Sequence, residues 1–382
     1  MERKRVPLGN YITEYSVRNR SGEDIPVYSV TNSQGFCTEY FDKEVASKDK
    51  TTYKIVPRGY FAYNPSRINV GSVDWQRCEG RVIVSPLYNV FSVSEKMEQQ
   101  YLFYFLKSNV GRQMIKAKAS GSVRDNLKMD MLKEMTIPER TIEEQKKCVA
   151  TLDALKTIIS LWEKELEKLD ELIKARFVEM FGDIATGNYK YDTRKLGDVA
   201  NVGSSHRVFT TEFVKKGIPF YRGTEIGELA NGNKPAEPFY ISEEHYNRLV
   251  YNDTKPQVGD LLLPSICNKG QVWMVDTDEP FYYKDGRVLC ISPDREIFDT
   301  KYLEYFMRAK TLVEYPKLGS GSTFAEFKIF ILKNIDVLIP PRELQEQFSM
   351  FVHQVDKSKV AVQKALEESQ LLFDSLMQEY FG

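Results

Sequence analysis

Apolar residues recur between residues 152 and 173 at alternating steps of three and four positions. Polar and charged side chains, many of them Glu and Lys, fill most of the positions between them. This heptad spacing predicts a long amphipathic helix that packs against a partner helix. The predicted seam consists of Leu152, Leu155, Ile159, Trp162, Leu166, Leu169 and Ile173.

A second stretch repeats this spacing about 200 residues later, with polar residues at two of its seven seam positions. Its positions are Val352, Val355, Lys359, Val362, Leu366, Ser369 and Phe373. At about 1.5 Å per residue, each helix is predicted to be on the order of 50 Å long. One such helix cannot bury its own stripe, so we predict that the two pair in antiparallel orientation. The alternative is that each stripe packs on the core of its own globule.

The sequence preceding each predicted helix is also duplicated, at an offset near 200 residues. A repeat of this length indicates a duplicated domain rather than a solenoid. The matching segments are Tyr101–Phe105 with Tyr302–Phe306, Ala119–Ser122 with Gly319–Ser322, Leu132-Lys133 with Leu332-Lys333, Ile137-Pro138 with Ile339-Pro340, Glu144-Gln145 with Glu346-Gln347, and Phe181-Gly182 with Phe381-Gly382.

Between these matches the halves diverge into short β-rich runs broken by Gly, Pro and Asn. We therefore predict an α+β protein with an internal pseudo-twofold repeat. In it, two mixed α/β globules are joined and separated by two long antiparallel helices. The predicted boundaries are 1–140 for the first globule, 141–184 for the central helix, 185–341 for the second globule and 342–382 for the final helix.

The composition excludes several classes of protein. The 382 residues are 42% hydrophobic and 28% charged, which is typical of folded domains, and the net charge of −1 excludes a strongly basic protein that coats nucleic acid by itself. Residues 1–140 alone are net basic, with 22 Lys and Arg against 16 Asp and Glu. The three His and five Cys are scattered without metal-ligand spacing, so we expect neither a metal site nor a disulfide framework.

No apolar run of about 18 residues occurs, and the first residues resemble no secretory signal. We therefore expect a cytoplasmic protein that has no membrane partner.

Two loops have the residue types that contact nucleic acids. Residues 64–71 and 265–271 each follow a predicted strand, and we call them the first and second strand-end loops. Asn, Gln, Arg and Ser hydrogen-bond to base edges and phosphates, and the Ser/Gly segments near residues 120 and 320 let backbone N–H groups approach an anion. The predicted DNA-binding residues are Asn64, Arg67, Asn69, Ser122, Arg124 and Lys128 in the first globule, and Asn268, Lys269, Gln271, Ser322 and Lys328 in the second.

Catalytic motifs are incomplete. Asn64-Pro65-Ser66-Arg67 begins like the Asn-Pro-Pro-aromatic motif of amino-methyltransferases but lacks its second proline and its aromatic residue. Pro293-Asp294 with Glu326-Phe327-Lys328 imitates a magnesium-dependent nuclease site, but triplets this short recur by chance. There is no phosphate-binding P-loop and no nucleophile elbow. The sequence therefore predicts no catalytic residues.

The whole pattern resembles the specificity (S) subunit of type I restriction–modification systems, the HsdS family. The residues that carry the resemblance are those from Gly319 to Pro341, their first-half copy from Ser120 to Pro138, and the two Phe-Gly helix ends. The resemblance implies that the globules are target recognition domains, each recognising half of a bipartite DNA site. It implies that the helices are conserved spacer regions on which two methyltransferase (M) subunits dock.

The resemblance also implies a non-catalytic chain that binds double-stranded DNA and no cofactor of its own. S-adenosylmethionine would belong to the methyltransferase partner, which methylates adenine at N6. ATP and Mg²⁺ would belong to restriction (R) subunits, which translocate and cut DNA. Two alternatives are a fused restriction–modification enzyme or nuclease, and a protein-binding coiled-coil scaffold without DNA recognition.

Overall fold

A computed structural model describes residues 3–38, 49–77, 79–119, 126–250, 255–318 and 325–382. The chain divides into two compact units. The first unit comprises Met1–Glu165 and Val362–Gly382, and the second unit comprises Leu166–Ala361. Each unit therefore contains one globule and a segment of both long helices.

Within its described residues, the first unit has ten strands and three α-helices besides its segments of the long helices. The strands are β1 (Arg5–Pro7), β2 (Ile12–Glu14), β3 (Ser29–Thr31), β4 (Gly35–Cys37), β5 (Lys54–Pro57), β6 (Phe61–Tyr63), β7 (Val73–Trp75), β8 (Arg81–Val84), β9 (Asn89–Val93) and β10 (Thr136–Pro138). The helices are α1 (Gln99–Lys107), α2 (Asn109–Ala119) and α3 (Met129–Lys133). The first long helix, α4, spans Ile142–Phe181 and continues into the second unit.

The second unit has twelve strands and further helices within its described residues. The strands are β11 (Gly182–Asp183), β12 (Asn188–Tyr189), β13 (Thr193–Lys195), β14 (Ala200–Ser204), β15 (Phe213–Val214), β16 (Ile218–Tyr221), β17 (Phe239–Ile241), β18 (Leu261–Pro264), β19 (Trp273–Met274), β20 (Tyr282–Tyr283), β21 (Val288–Pro293) and β22 (Asp336–Leu338). The helices are α5 (Leu196–Val199), α6 (Gly223–Ala230), α7 (Glu243–Leu249), α8 (Thr300–Glu314) and α9 (Ile329–Lys333), followed by the second long helix α10 (Arg342–Phe381), which returns to the first unit.

One antiparallel sheet is built in the same way in both units. Its strand order is β2-β9-β6-β7 in the first and β14-β21-β18-β19 in the second. The register matches as well, since Phe61 lies opposite Phe91 and Leu261 lies opposite Ile291. The strand β21 is buried almost throughout, whereas in β9 only Val90 and Phe91 are buried. The two strand-end loops leave this sheet after β6 and β18.

A two-stranded antiparallel sheet also recurs, as β1-β10 in the first unit and β13-β22 in the second. Other sheets differ: the described part of the first unit also has β3-β4 and β5-β8. The second unit has a further four-stranded sheet, β15-β17-β16-β20, in which β16 and β20 are parallel. These differing elements fall in the divergent blocks of sequence, so the duplication preserves two sheets and varies what surrounds them.

In the first unit, the beginning of α4 and the end of α10 pack on one apolar core. Leu152 of α4 and Phe373 of α10 both contact this core, and the Phe381 ring packs at a tilt on that of Tyr101, with ring centroids 5.0 Å apart. The Arg140 guanidinium donates to the carbonyl of Tyr380. Early residues of one helix thus lie near late residues of the other, so the two segments are antiparallel.

The second unit has the reciprocal arrangement, with the end of α4 packed on the beginning of α10. The Phe181 ring centroid lies 5.1 Å from that of Tyr302 and 5.6 Å from that of Phe348. Lys359 of α10 forms an ion pair with Asp170 of α4. These segments are antiparallel too. The Phe-Gly ends found in the sequence are therefore the points where each long helix enters the core of a globule.

Two buried glutamines join the helices to the globules. Gln145 accepts a hydrogen bond from the N–H of Glu98 (2.9 Å) and donates to the carbonyls of Lys96 (2.9 Å) and Arg140 (3.0 Å). Gln345 accepts from the N–H of Asp299 (2.9 Å) and donates to the carbonyls of Ile297 (3.0 Å) and Pro340 (2.9 Å). The sequence match of Gln145 with Gln347 is therefore wrong by two residues, because Gln347 is exposed.

The prediction of an α+β fold with an internal repeat and two long helices is confirmed. Each long helix has 40 residues, more than the apolar pattern alone marks. The helix α4 begins earlier because Thr141 and Glu144 cap each other's backbone N–H groups. The numerical domain boundaries remain a prediction.

Candidate nucleic-acid interface

The first strand-end loop has an ordered backbone. The Asn64 carbonyl Oδ1 accepts from the backbone N–H of Ser66 at 3.1 Å and from its hydroxyl at 2.9 Å, which fixes the turn after β6. Ile68 is buried below a short turn of 3-10 helix, and Gly71 ends it with φ of 97°. The Arg67 side chain is on the exposed side. The loop therefore presents polar groups from a fixed base.

This loop is hydrogen-bonded to the segment that leads into α3. The Leu127 N–H donates to the carbonyl of Pro65 at 3.0 Å, and the Tyr63 hydroxyl donates to the carbonyl of Leu127 at 3.1 Å. Burial raises the pKa of Tyr63, so its hydroxyl stays a proton donor at neutral pH. Exposed Lys128 follows directly, at the N-terminus of α3. The structure thus brings Asn64, Arg67 and Lys128 into one region of the first unit.

The second unit repeats this connection with different side chains. The Phe327 N–H donates to the carbonyl of Ser265 at 2.7 Å, and exposed Lys328 follows at the N-terminus of α9. Within the second strand-end loop, the Gln271 Oε1 accepts from the backbone N–H of Lys269 at 3.0 Å. Ser265 and Phe327 lie 200 positions after Pro65 and Leu127, respectively, so the connection belongs to the repeat.

A buried side chain anchors each strand-end loop from below. Ile68 does so in the first, and Cys267 does so in the second, where its thiol contacts the Gln271 carbonyl and the Thr311 hydroxyl. Burial raises the pKa of Cys267 to about 11. A thiol protonated at neutral pH is a poor nucleophile, so Cys267 has a packing role.

The remaining predicted DNA-binding residues are placed as follows. Asn69 is half-buried, and its Oδ1 accepts from the N–H of Val70 at 2.9 Å, while Asn268 and Lys269 are exposed. Ser122, Arg124 and Ser322 lie outside the residues that the structure describes. The loop positions are therefore placed together in each unit, and their contacts with DNA remain a prediction.

The sequence analysis missed a group of cations beside the first strand-end loop. The Lys107 ammonium donates to the Gly71 carbonyl at 2.5 Å and to Asn32. The Arg77 guanidinium lies 4.5 Å from the Trp75 ring centroid, and Lys156 lies 4.9 Å from that of Tyr104. Burial lowers the pKa of Lys107 and of Lys156. Only the fold brings β7, α1 and α4 together, so no local spacing reveals this group.

Other basic residues of the first unit differ in their surroundings. Ion pairs join Arg81 to Glu23 and Lys118 to Glu134. Arg58, Lys116 and Lys128 are exposed. The positive balance of this half is thus partly neutralised by local pairs, and the rest faces solvent.

The structure separates the residues of the incomplete nuclease-like motif. Glu326 forms an ion pair with Arg287, just before β21, whereas Asp294 comes just after that strand. At about 3.3 Å per residue, the two ends of this strand are roughly 20 Å apart, too far for one metal ion. Among the described residues, no group of three or more His, Cys, Asp or Glu is arranged to hold a metal.

The predicted seam positions lie on the less exposed side of both helices. Those classed as buried are Leu152, Leu155, Ile173, Val352 and Val355, and those half-buried are Ile159, Trp162, Leu166, Leu169, Val362, Leu366 and Phe373. The two polar positions are accommodated, since Lys359 pairs with Asp170 and Ser369 donates to the Ala365 carbonyl at 2.7 Å. No helix in the described part of the chain is long and apolar enough to cross a membrane.

The chain is thus a duplicated α+β protein with paired strand-end loops and two long helices. The model of the type I restriction modification DNA specificity domain matches residues 8–171 and again residues 188–369. The chain therefore belongs to this family of specificity subunits, whose role implies recognition of a DNA target.

Individual relatives agree with this assignment. The chain is 24% identical over 302 residues to the type I restriction enzyme MjaIX specificity subunit of Methanocaldococcus jannaschii, covering 73% of this chain and 67% of the relative. It is 23% identical over 312 residues to the MjaVIII specificity subunit of the same organism, covering 74% and 71%.

Solved structures share the fold. One chain, from work on complex assembly and conformational transition of the type I R-M system, has a TM-score of 0.60 at 17% identity, covering 99% of this chain and 97% of that chain. The S subunit of the type I restriction-modification system from M. genitalium has a TM-score of 0.54 at 13% identity, covering 100% and 96%.

Proposed function

We propose that this chain is the DNA-recognising subunit of a type I restriction–modification complex, in which each unit recognises one half of a bipartite, asymmetric site. The observation that carries the proposal is the repeated connection between a strand-end loop and the segment before a short helix. Pro65 with Leu127 and Ser265 with Phe327 form this connection in globules whose other elements differ. Two differing surfaces on one repeated frame suit two different half-sites.

The helices have a second role in this proposal, as docking sites for two methyltransferase subunits. Apolar side chains are exposed on helix segments of both units. They include Leu161 (57% exposed) and Leu371 (71%) in the first, and Val360 (71%) in the second. Exposed apolar residues of this size on a folded chain mark protein contacts when they form a patch. The scaffold alternative uses the same residues but requires no DNA binding.

The chain itself is proposed to be non-catalytic. S-adenosylmethionine then binds to the methyltransferase subunits, and ATP and Mg²⁺ bind to the restriction subunits. The near-zero net charge is compatible with this division, because the assembled partners supply phosphate contacts and their salt-dependent affinity.

The test uses this chain assembled with its methyltransferase subunits and duplexes changed in one half-site at a time. Arg67→Ala with Arg124→Ala is expected to weaken binding through one half-site only, by roughly tenfold or more. Lys215→Ala with Lys216→Ala, a pair outside the proposed loops, is the matched control. Unchanged affinity at moderate salt would reject this assignment of the loop, and no DNA binding by the wild-type complex would favour the scaffold.

The spacing role has its own experiment. One heptad inserted into both long helices, after Glu165 and before Val362, is expected to lengthen the gap between the methylated half-sites. A gap of unchanged length would reject the proposal that these helices set it.

A further inference from the structure

The duplicated helices α1 and α8 each have a cation at the same position of the repeat. Tyr101–Phe105 matches Tyr302–Phe306, so Lys107 corresponds to Arg308. Both side chains contact an element that has no counterpart in the other unit. Lys107 donates to Asn32 in the turn between β3 and β4, and Arg308 donates to the Ala230 carbonyl at the end of α6.

The two residues meet the strand-end loops in different ways, Lys107 with its side chain and Arg308 with its backbone carbonyl. The Lys107 ammonium donates to the Gly71 carbonyl at 2.5 Å. In the second unit, the backbone carbonyl of Arg308 lies where a Cβ on Gly270 would approach it to 2.7 Å. The Lys107 ammonium therefore lies between the first strand-end loop and the β3-β4 turn. Arg308 lies beside the second loop through its backbone and holds the end of α6 with its side chain.

The hydrogen bonds of Lys107 are fully used within the protein. Its ammonium has three N–H groups, and three acceptors lie within reach: the Gly71 carbonyl, the Asn32 carbonyl and the Asn32 Oδ1, the last two at 3.2 Å. Asn32 packs tightly on the loop, since a Cβ on Gly71 would come within 2.2 Å of its Oδ1. A lysine whose donors are all engaged is poorly placed to bind a phosphate.

Arg308 is held in a different way at the same position. Its Nη2 donates to the Ala230 carbonyl at 2.5 Å and to the Glu304 carboxylate at 2.9 Å. Glu304 corresponds to Phe103 in the first unit, where the Lys107 ammonium lies 5.6 Å from the Phe103 ring centroid. A cation at the end of α6 also complements the negative end of that helix. The cation is thus common to both units, whereas its neighbours have changed with the adjoining element.

We infer that Lys107 and Arg308 are paired positioning residues. The Lys107 ammonium fixes the first strand-end loop against the β3-β4 turn, and the Arg308 guanidinium fixes α6 beside the second loop, so that loop and adjoining element form one DNA-recognition surface in each unit. This inference rests on the proposed function and extends it. In the first unit the recognition surface then includes the exposed turn residues Asn32, Ser33 and Gln34. Lys107 and Arg308 determine sequence preference without touching DNA.

The test measures half-site discrimination by the complex of this chain with its methyltransferase subunits. Discrimination is the ratio of the dissociation constants for a duplex changed in one half-site and for the cognate duplex. Lys107→Met is expected to lower one ratio about tenfold and leave the other unchanged, because charge-assisted bonds that fix the loop are lost. Arg308→Met is expected to lower only the other ratio. Lys107→Arg, which keeps a cation and its donors, is expected to restore discrimination.

Salt dependence separates positioning from direct contact. A residue that binds a phosphate contributes about one to the slope of log affinity against log salt, whereas a positioning residue leaves that slope unchanged. We expect wild-type slopes for Lys107→Met and Arg308→Met. A slope lowered by about one, with equal weakening for every duplex, would overturn the inference.

The failures of the two proposals are distinguishable. If the wild-type complex prefers no sequence, the proposed function fails and this inference fails with it. If the wild-type complex is specific and Lys107→Met keeps both ratios, only the inference is wrong. Should Lys107→Met not assemble, Lys107→Gln, which retains two N–H donors, is expected to give a smaller loss in the same ratio, and full retention would contradict the inference.

Discussion

The two units of this chain share a frame and differ in what that frame supports. Both have the same four-stranded antiparallel sheet and a buried glutamine with three backbone hydrogen bonds, Gln145 or Gln345. Both receive the end of a long helix through a buried phenylalanine, Phe381 or Phe181. The residues that recur in the sequence are thus largely those that join helix, loop and sheet.

The differences lie beside the strand-end loops. The first unit has the β3-β4 turn there, and the second has α6. Gly71 and Gly270 end the loops in both, yet the groups they pack against have changed from an amide side chain to a backbone carbonyl. The comparison shows that the duplication preserved the contacts that join helix, loop and sheet. The proposed DNA-facing surface has diverged between the units. Stability measurements on matched pairs of residues test the first of these two statements.

The largest expected effect is at the helix ends. Phe181→Ala and Phe381→Ala each remove a fully buried ring and are expected to lower the free energy of unfolding by about 3–5 kcal/mol. The loss from Phe181→Ala is expected to be about 1 kcal/mol larger than that from Phe381→Ala, because Phe181 has more aromatic neighbours. Phe181 contacts the rings of Phe177, Tyr191, Tyr302 and Phe348, and Phe381 contacts those of Tyr101 and Phe105. Urea unfolding measures both.

Leu372→Ala is the control for these variants, since that α10 side chain is 50% exposed. It is expected to change the free energy of unfolding by less than about 0.5 kcal/mol. Equal costs for all three substitutions would contradict the view that the two phenylalanines anchor the helices.

The next largest loss of unfolding free energy is expected at the buried glutamines. Gln345→Leu leaves three backbone groups without their partner, and at about 1 kcal/mol or more for each it is expected to cost roughly 3 kcal/mol. Gln145→Leu is expected to cost a similar amount. Gln347→Leu is the matched control because Gln347 is exposed on the same helix. A greater cost at Gln347 than at Gln345 would restore the register suggested by the sequence.

The loop glycines sharpen the comparison between the units. Alanine at Gly71 or Gly270 adopts an unfavourable positive φ, which costs about 1 kcal/mol. Gly270→Ala is expected to cost about 1 kcal/mol more than Gly71→Ala, because its methyl group meets the rigid Arg308 carbonyl rather than the movable Asn32 side chain. Gly232→Ala, also at positive φ but with nothing within 4 Å, is the control for φ alone.

The smallest expected effect is at the polar seam position. Lys359 is 25% exposed and its partner Asp170 is 72% exposed, so their ion pair contributes less than about 1 kcal/mol. Lys359→Leu is expected to leave stability unchanged or to raise it slightly. A loss of more than about 2 kcal/mol in urea unfolding would show that this ion pair holds the helices together.

Much of the frame could be predicted from the sequence because it rests on periodicity and repetition. The heptad steps located both long helices, and the duplicated Phe-Gly pairs lie where those helices end. The recurrence of polar loops after a strand also identified loops that contact the repeated segments just before Lys128 and Lys328. Each of these signals is local or depends only on matching one half of the chain to the other.

The rest depends on contacts between residues far apart in the chain. Lys107 meets Asn32 across 75 positions, and no spacing rule relates them. The register of Gln345 was missed because a Glu-Gln pair recurs two residues later, and only burial distinguishes the two glutamines. The nuclease-like triplets failed for the converse reason, since the strand β21 separates residues that sequence matching had combined.

The most direct test of the central claim is to co-express this chain with the methyltransferase of its system and map N6-methyladenine across the host genome by long-read sequencing. The account predicts a bipartite motif with a fixed gap, absent when this chain is omitted, and altered in a single half when residues 49–77 of the first unit are replaced by those of a relative. Methylation without a bipartite motif, or a motif that persists without this chain, would contradict it.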